Sequence, residues 1–89
     1  MTALAVVPAP NVLAAHLGDE SVLLDLDTKH YFRLHETAAV IWRALEHSPR
    51  VEAIIRALVE EFEVTEDEAR LSLEQLVDDL RRKGLVLAP

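Results

Sequence analysis

Residues 21–42 read SVLLDLDTKHYFRLHETAAVIW, and the spacing of the apolar side chains changes within this stretch, near residue 35. Before residue 35 the apolar residues occur in short runs, which are broken at Gly18-Asp19-Glu20 and at Asp27-Thr28-Lys29. Short apolar runs that are separated by turn-forming residues predict β-strands. The sequence therefore predicts three strands, at about Val12 to His16, Ser21 to Leu26 and His30 to Leu34.

After residue 35 the apolar residues follow a helical spacing. Ala38, Ile41, Trp42 and Leu45 occur at positions i, i+3, i+4 and i+7, which places them on one stripe of a helix. We expect this first helix to extend from about Glu36 to Glu46.

Two further helices follow, each with a start signal. Ser48 is a favoured N-cap and Pro49 suits the first helical position, so the second helix is expected to begin there. Thr65 and Glu68 have the spacing of a capping box at the start of the third helix, and Gly84 can end it in a left-handed conformation. The predicted core stripes are Val51, Ile54, Ile55, Leu58, Val59 and Phe62 in the second helix, and Ala69, Leu73, Leu76, Val77 and Leu80 in the third.

Three strands followed by three helices indicate an α+β fold, with a three-stranded antiparallel N-terminal sheet and the helices against one of its faces. We expect a flexible segment over residues 1–10 and a single domain over residues 11–89. Because sequential strands usually pair with their neighbours, the third strand is expected at an edge of the sheet. A free edge can accept a strand from a partner, or it can be a short edge protected by charges, here those of Lys29 and Arg33.

Charge and hydropathy bear on several classes of partner. Acidic residues outnumber Lys and Arg by 16 to 9, which gives a formal net charge of −7 and disfavours binding to nucleic acid. The one basic cluster, Arg81-Arg82-Lys83, is explained by the negative end of a helix dipole. The apolar runs are far too short to span a membrane. We therefore expect a cytoplasmic protein that binds neither nucleic acid nor membranes.

The sequence shows only weak patterns for catalysis, metal binding or phosphate binding. The four histidines lack the helical spacing that aims two imidazoles at one metal ion, and the chain has no cysteine. The serines lack a Gly-x-Ser-x-Gly context, and two glycines are too few for a loop that cradles phosphate. We expect no catalytic residue, no metal site, no cofactor and no enzymatic activity.

The segment from Val22 to Trp42 resembles the PqqD-like family, the recognition elements of ribosomal-peptide biosynthesis. The resemblance continues through a Val-x-x-Ile-x-x-x-Leu helix at Val51 to Leu58 and a Gly-Leu-Val ending at Gly84, so that it covers about Ser21 to Leu87. Family members usually have Gly where Lys29 stands and Asn where His35 stands. A Gly is typical of a turn with positive φ, and an Asn is a stronger N-cap than a His.

The resemblance implies a winged-helix-like fold and a function without chemistry. Such domains bind the leader segment of a precursor peptide as an extra antiparallel strand, between the third strand and the third helix, and deliver it to a processing enzyme. This chain resembles most the stand-alone leader-binding subunits of lasso-peptide biosynthesis, where the enzyme is a leader peptidase. Alternatives are a chaperone of pyrroloquinoline quinone synthesis that serves a radical enzyme, a winged-helix regulator, or an adaptor that docks through Ile41 and Trp42.

The expected peptide-binding residues come from the edge strand and the third helix. The backbone of the edge strand would form the ladder with the leader, while the third helix would contact leader side chains. The sequence leaves open which face of that helix does so: Leu71, Gln75, Asp78 and Arg82 lie nearly opposite the core stripe, and Asp79 lies on a flank. The edge would also allow self-association through strand pairing. The predicted peptide-binding residues are His30, Tyr31, Phe32, Arg33, Leu34, Leu71, Gln75, Asp78, Asp79 and Arg82.

Overall fold

The structure is a computed structural model that describes residues 6–47 and 50–87. Its elements in chain order are β1 (Val7–Pro8), β2 (Val12–Leu17), β3 (Glu20–Asp25), β4 (Tyr31–His35), α1 (Thr37–His47), α2 (Val51–Glu61), α3 (Glu66–Arg82) and β5 (Val86–Leu87). β2, β3 and β4 form an antiparallel sheet in that order, and three helices follow it. The predicted α+β fold is therefore confirmed.

The β2–β3 hairpin closes through Gly18 and Asp19, because Leu17 and Glu20 are the last paired residues. Gly18 has a φ of 63°, and a glycine in this first position of a two-residue turn gives the twist that antiparallel strands need. Arg43 Nη2 donates to the carbonyl oxygen of Gly18 at 2.6 Å, which holds the turn against α1.

The β3–β4 turn is organised by the buried carboxylate of Asp25. Its Oδ1 accepts hydrogen bonds from the Asp27 N–H at 2.9 Å, the Thr28 N–H at 3.3 Å and Asn11 Nδ2 at 3.0 Å. Burial raises the pKa of Asp25, but these hydrogen bonds together outweigh burial and hold its pKa below the ordinary value. Lys29 has a φ of 66°, so the position where the family usually has Gly does adopt the left-handed conformation.

The helices begin and end close to the predicted positions. α1 starts at Thr37, directly after Glu36, which has a φ of 48°. Ser48 and Pro49 lie outside the described residues, and Arg50 takes the N-cap position of α2, so this helix begins later than expected. In α3 the capping box is present: Thr65 Oγ1 accepts from the Glu68 N–H at 3.1 Å, and Glu68 Oε1 accepts from the Thr65 N–H at 2.9 Å.

The core lies between the helices and the face of the sheet that carries Leu23 and Leu34. Trp42, at 1% exposure, is its largest fully buried side chain among the described residues. Each helix contributes three or four buried residues, which are Ala39, Ile41, Trp42 and Leu45 from α1, Ile54, Ile55 and Leu58 from α2, and Ala69, Leu73, Val77 and Leu80 from α3. No helix in the described ranges is long and apolar enough to cross a membrane.

Residues 6–10 belong to the segment that is expected to be flexible, and the structure describes part of them as a packed strand. β1 pairs antiparallel with β5, and the Ala9 N–H donates to the Leu85 carbonyl oxygen at 3.0 Å. Val6 and Ala9 are 1% and 2% exposed. The backbone hydrogen bonds and the burial of apolar side chains offset the entropy of ordering this segment, so residues from Val6 onwards belong to the fold. Residues 1–5 lie outside the described ranges.

Candidate functional site

β4 is an edge strand of the three-stranded sheet, since it pairs with β3 on one side and with no other described strand. The Asp25 N–H donates to the His30 carbonyl oxygen at 2.9 Å, which fixes the alternation along the β3–β4 ladder. In an antiparallel pair every second residue directs both its N–H and C=O groups at the partner strand. Phe32 and Leu34 therefore bond to β3, whereas Tyr31 and Arg33 direct their backbone groups outwards.

A groove lies between this edge and α3. It consists of two depressions of ≈ 560 and ≈ 550 Å³ that share Ala38, Leu76 and Asp79 in their walls. The first depression lies along the whole of β4, and the second continues between α1 and α3 towards Gln75. The outward backbone groups of β4 thus border an elongated concave surface, which in the following we call the groove.

The face of α3 that borders the groove follows helical spacing. Its residues are Ser72, Gln75, Leu76, Asp79, Arg82 and Lys83. Leu76 is half-buried and packs against the core, and with Ala38 of α1 it forms an apolar wall. The groove therefore has an apolar wall near its middle and polar or charged side chains around it.

The structure brings seven of the ten predicted site residues to the groove. These are Tyr31, Phe32, Arg33, Leu34, Gln75, Asp79 and Arg82. As peptide-binding residues they stay predictions, because their position in the groove does not test binding.

Three predicted residues do not line the groove. Leu71 is 55% exposed, and Asp78 lines a separate depression with Arg70 and Arg81. His30 lies before β4, where its ring meets the ring of Phe32 edge-on at 6.5 Å between centroids. The sequence left open which face of α3 lines the groove; in the structure the groove borders the edge of the core stripe, where Ser72 and Asp79 lie one turn from Leu76.

The sequence interpretation also missed groove residues, above all Ala38, Leu76 and Lys83. Ala38 and Leu76 were assigned to core stripes, but both are only half-buried. The sequence held a signal, because Ala38 directly precedes Ala39 and Leu76 directly precedes Val77. Two adjacent residues of a helix point in different directions, so one of each pair lies at the margin of the apolar stripe. Lys83 was explained by the helix dipole alone.

Charged groups surround the carboxylate of Asp79. Lys83 Nζ donates to Asp79 Oδ2 at 2.8 Å, and Arg82 Nη2 lies 3.8 Å from Asp79 Oδ1. The hydrogen bond from Lys83 lowers the pKa of Asp79; burial opposes this effect, and the charges of Lys83 and Arg82 add to it, so that the pKa lies below its ordinary value. Lys83 Nζ also lies 5.8 Å from the centroid of the Phe32 ring, which is within the range of a cation–π contact.

A chain of hydrogen bonds outside the groove joins a Ser, a His and a Glu. His16 Nδ1 lies 2.7 Å from Ser21 Oγ, and His16 Nε2 lies 2.9 Å from Glu46 Oε1. Trp42 Nε1 donates to Glu46 Oε2 at 3.1 Å. Ser21 is fully buried, so its hydroxyl cannot reach a substrate, and the chain instead connects the sheet to α1.

One alternative from the sequence, the adaptor, can be compared with the structure. Ile41 and Trp42 are both 1% exposed, so the interpretation as an adaptor that docks through these side chains was wrong. Within residues 6–47 and 50–87, no group of three or more His, Cys, Asp or Glu residues is placed to hold a metal ion.

Comparisons with known proteins agree with this fold. The chain is 34% identical to the protein in the structure titled "TbiB1 in Complex with the TbiA(beta) Leader Peptide", with a TM-score of 0.83 over 90% of this chain and 93% of that one. It is 27% identical to the protein in "Lasso peptide synthetase B1 complexed with the leader peptide", with a TM-score of 0.84 over 94% of this chain and 99% of that one. No curated protein sequence matches the chain. The family model for coenzyme PQQ synthesis protein D (PqqD) matches residues 20–86, and the chain belongs to the PqqD family.

Proposed function

We propose that this protein is a leader-peptide recognition element of ribosomal-peptide biosynthesis. It binds the leader of a precursor peptide as an antiparallel strand along β4 and delivers it to a processing enzyme, a lasso-peptide leader peptidase or a similar protein. The observation that carries the proposal is the outward direction of the Tyr31 and Arg33 backbone groups along a groove. Both similar structures are complexes with a leader peptide, which supports leader binding by this chain.

The free energy of such binding comes from two sources. A strand added to β4 would form ladder hydrogen bonds that contribute about 1 kcal/mol net each. Leader side chains that enter the groove would contact the apolar wall of Ala38 and Leu76, and each fully buried apolar side chain contributes about 1.5–3 kcal/mol. Ordering a flexible peptide and restricting its motion oppose these terms, so a dissociation constant in the micromolar to nanomolar range is expected.

The groove also determines which leader side chains contact the protein. In an added strand, residues opposite Phe32 and Leu34 share the face of these side chains and point into the groove. The residues between them point to the outer face of the sheet. Alternate leader side chains therefore contact α1 and α3, and the backbone ladder holds the register.

The proposed role is to deliver the leader peptide to an enzyme and not to catalyse a reaction. A peptide that is held as a strand keeps its flanking segments free, so an enzyme that binds this protein would meet the adjoining part of the precursor at high effective concentration. The hydrogen-bonded Ser21, the only serine in a Ser-His-Glu chain within the described ranges, is fully buried.

The proposal is tested by fluorescence anisotropy with labelled leader peptide from the precursor gene next to the gene for this protein. Duplex DNA that carries the same fluorescent label tests the alternative that the protein is a winged-helix regulator. We expect saturable binding of the leader and none of the DNA at physiological salt, because the first turn of α3 carries Glu66, Asp67 and Glu68. Saturable DNA binding without any response to the leader would contradict the proposal.

A further inference from the structure

Lys83 crosses the groove from the end of α3 towards the edge strand. Its Nζ is hydrogen-bonded to Asp79 Oδ2 at 2.8 Å and lies 5.8 Å from the Phe32 ring centroid. Asp79 has a second cation nearby, because Arg82 Nη2 lies 3.8 Å from its other carboxylate oxygen. Asp79 would thus keep one cationic neighbour if Lys83 turned to a carboxylate that enters the groove.

A second cation lies on the opposite face of the same edge. The Arg33 side chain is 68% exposed, and its Nη2 is 3.7 Å from Glu20 Oε1 on the outer face of the sheet. Glu20 also has His35 as a neighbour, with His35 Nδ1 3.1 Å from Glu20 Oε2. The ion pair of Arg33 is long and exposed, so it holds the guanidinium weakly, and a new neighbour on the same face can compete for it.

If the leader adds as a strand, two consecutive leader residues lie beside these two cations. The leader residue opposite Phe32 shares its face and points towards Lys83. The leader residue opposite Arg33 shares the outer face and lies beside the guanidinium, at the separation where opposite charges on neighbouring strands attract. Consecutive residues of one strand point to opposite faces, so both contacts can form at once.

Cations lie on both sides of β4 in a protein that is acidic as a whole. The chain has a formal net charge of −7. Lys83 and Arg82 line the groove together with the anion Asp79, and Arg82 Nη2 also lies 3.3 Å from Asp78 Oδ2. Arg33 carries its guanidinium on the outer face of the same edge. A carboxylate is therefore attracted to Lys83 and Arg33, while the net negative charge of the protein opposes its binding as a whole, which makes the position of its charge selective.

We infer that Lys83 and Arg33 select leader peptides that carry Asp or Glu at the two consecutive positions opposite Phe32 and Arg33. This inference rests on the proposed function, and it names the class of peptide that the groove takes. Each pair is partly exposed, so each charge is expected to change the affinity by about three- to fivefold.

The test uses the labelled leader and a matched leader in which every Asp and Glu is replaced by Asn and Gln. Both peptides are titrated against the wild-type protein, Lys83→Gln, Arg33→Gln and Arg81→Gln. Arg81→Gln is the control, since it removes the same charge from the same helix end but lies with Asp78 on the other side of α3. Circular dichroism verifies that the variants are folded.

We expect Lys83→Gln and Arg33→Gln each to weaken binding of the acidic leader by about three- to fivefold, and Arg81→Gln to change it by less than about twofold. The amide leader should bind wild-type protein more weakly and lose nothing further with Lys83→Gln, because a double-mutant cycle isolates the pair. Equal affinity of the two leaders for wild-type protein, or equal losses with Lys83→Gln and Arg81→Gln, would overturn the inference and leave the proposed function intact. Absence of binding by both leaders would overturn both.

Discussion

Tyr31 lies opposite Leu24 in the β3–β4 ladder, at a pair whose backbone groups point away from each other. The adjacent hydrogen bond from the Asp25 N–H to the His30 carbonyl oxygen, at 2.9 Å, sets this alternation. The Tyr31 N–H therefore takes no part in the ladder with β3. It is a donor that an added strand would use.

Replacing Tyr31 with Pro removes this donor without removing a hydrogen bond to β3. We expect Tyr31→Pro to weaken leader binding by at least about tenfold, because the ladder loses a bond and the proline ring obstructs the approaching strand. Fluorescence anisotropy measures the affinity, and circular dichroism checks that the helices remain folded.

Ala14→Pro is the matched control on the other edge of the sheet. The Leu26 N–H donates to the Asn11 carbonyl oxygen at 2.9 Å, and by alternation the Ala14 N–H points outwards from β2. Leader affinity should be retained in folded Ala14→Pro. If Tyr31→Pro stays folded and binds as tightly as wild type, the leader does not pair with β4.

Leu76 and Leu71 lie on different faces of α3, so substitutions at these two positions distinguish which face the leader contacts. Leu76 belongs to the apolar wall of the groove, whereas Leu71 is 55% exposed and lies outside the groove. We expect Leu76→Ala to weaken leader binding by about tenfold, which corresponds to about 1.4 kcal/mol. Leu71→Ala should bind like wild type. The reverse ranking in the same titration would place the leader on the other face of α3.

Lys29 adopts a φ of 66°, a conformation that costs a non-glycine residue about 1–2 kcal/mol. Glycine avoids this cost but loses more backbone entropy on folding, by about 0.5–1 kcal/mol. We expect Lys29→Gly to raise the free energy of unfolding by about 0.5–1 kcal/mol in urea denaturation. Lys29→Ala keeps the strain and should stay near wild type. A Lys29→Gly protein that is less stable than Lys29→Ala would show that the left-handed conformation is not adopted.

The carboxylate of Asp25 makes the free energy of unfolding depend on pH in the acidic range. Because its pKa in the folded protein is below the ordinary value, its contribution is fully present above about pH 4, the ordinary pKa of an Asp. The contribution is lost as the pH falls through the folded pKa. We expect wild type to be more stable than Asp25→Asn at pH 7, and the difference to shrink towards pH 2. Asp79 also has a lowered pKa, so Asp25→Asn should keep part of the acid sensitivity. A constant difference from pH 7 to pH 2 would contradict this role of the Asp25 carboxylate.

Local sequence signals predicted most of the fold. The capping box at Thr65 and Glu68 and the glycines beside turns act over a few residues, so the sequence alone located α3 and the β2–β3 hairpin. The pairing of β1 with β5 joins opposite ends of the chain, and no local pattern encodes it. The sequence also could not orient α3 about its axis, because half-buried Leu76 fits a core stripe as well as a groove wall.

The central claim is that the leader adds to β4 as a strand, and amide hydrogen exchange followed by NMR tests it most directly. The Phe32 and Leu34 N–H groups bond to β3 and should exchange slowly with or without the leader. The Tyr31 and Arg33 N–H groups point outwards and should become protected only when the leader is bound. The account predicts slowed exchange at these two amides at saturating leader. Saturation of the protein with leader while Tyr31 and Arg33 exchange as fast as in the free protein would contradict it.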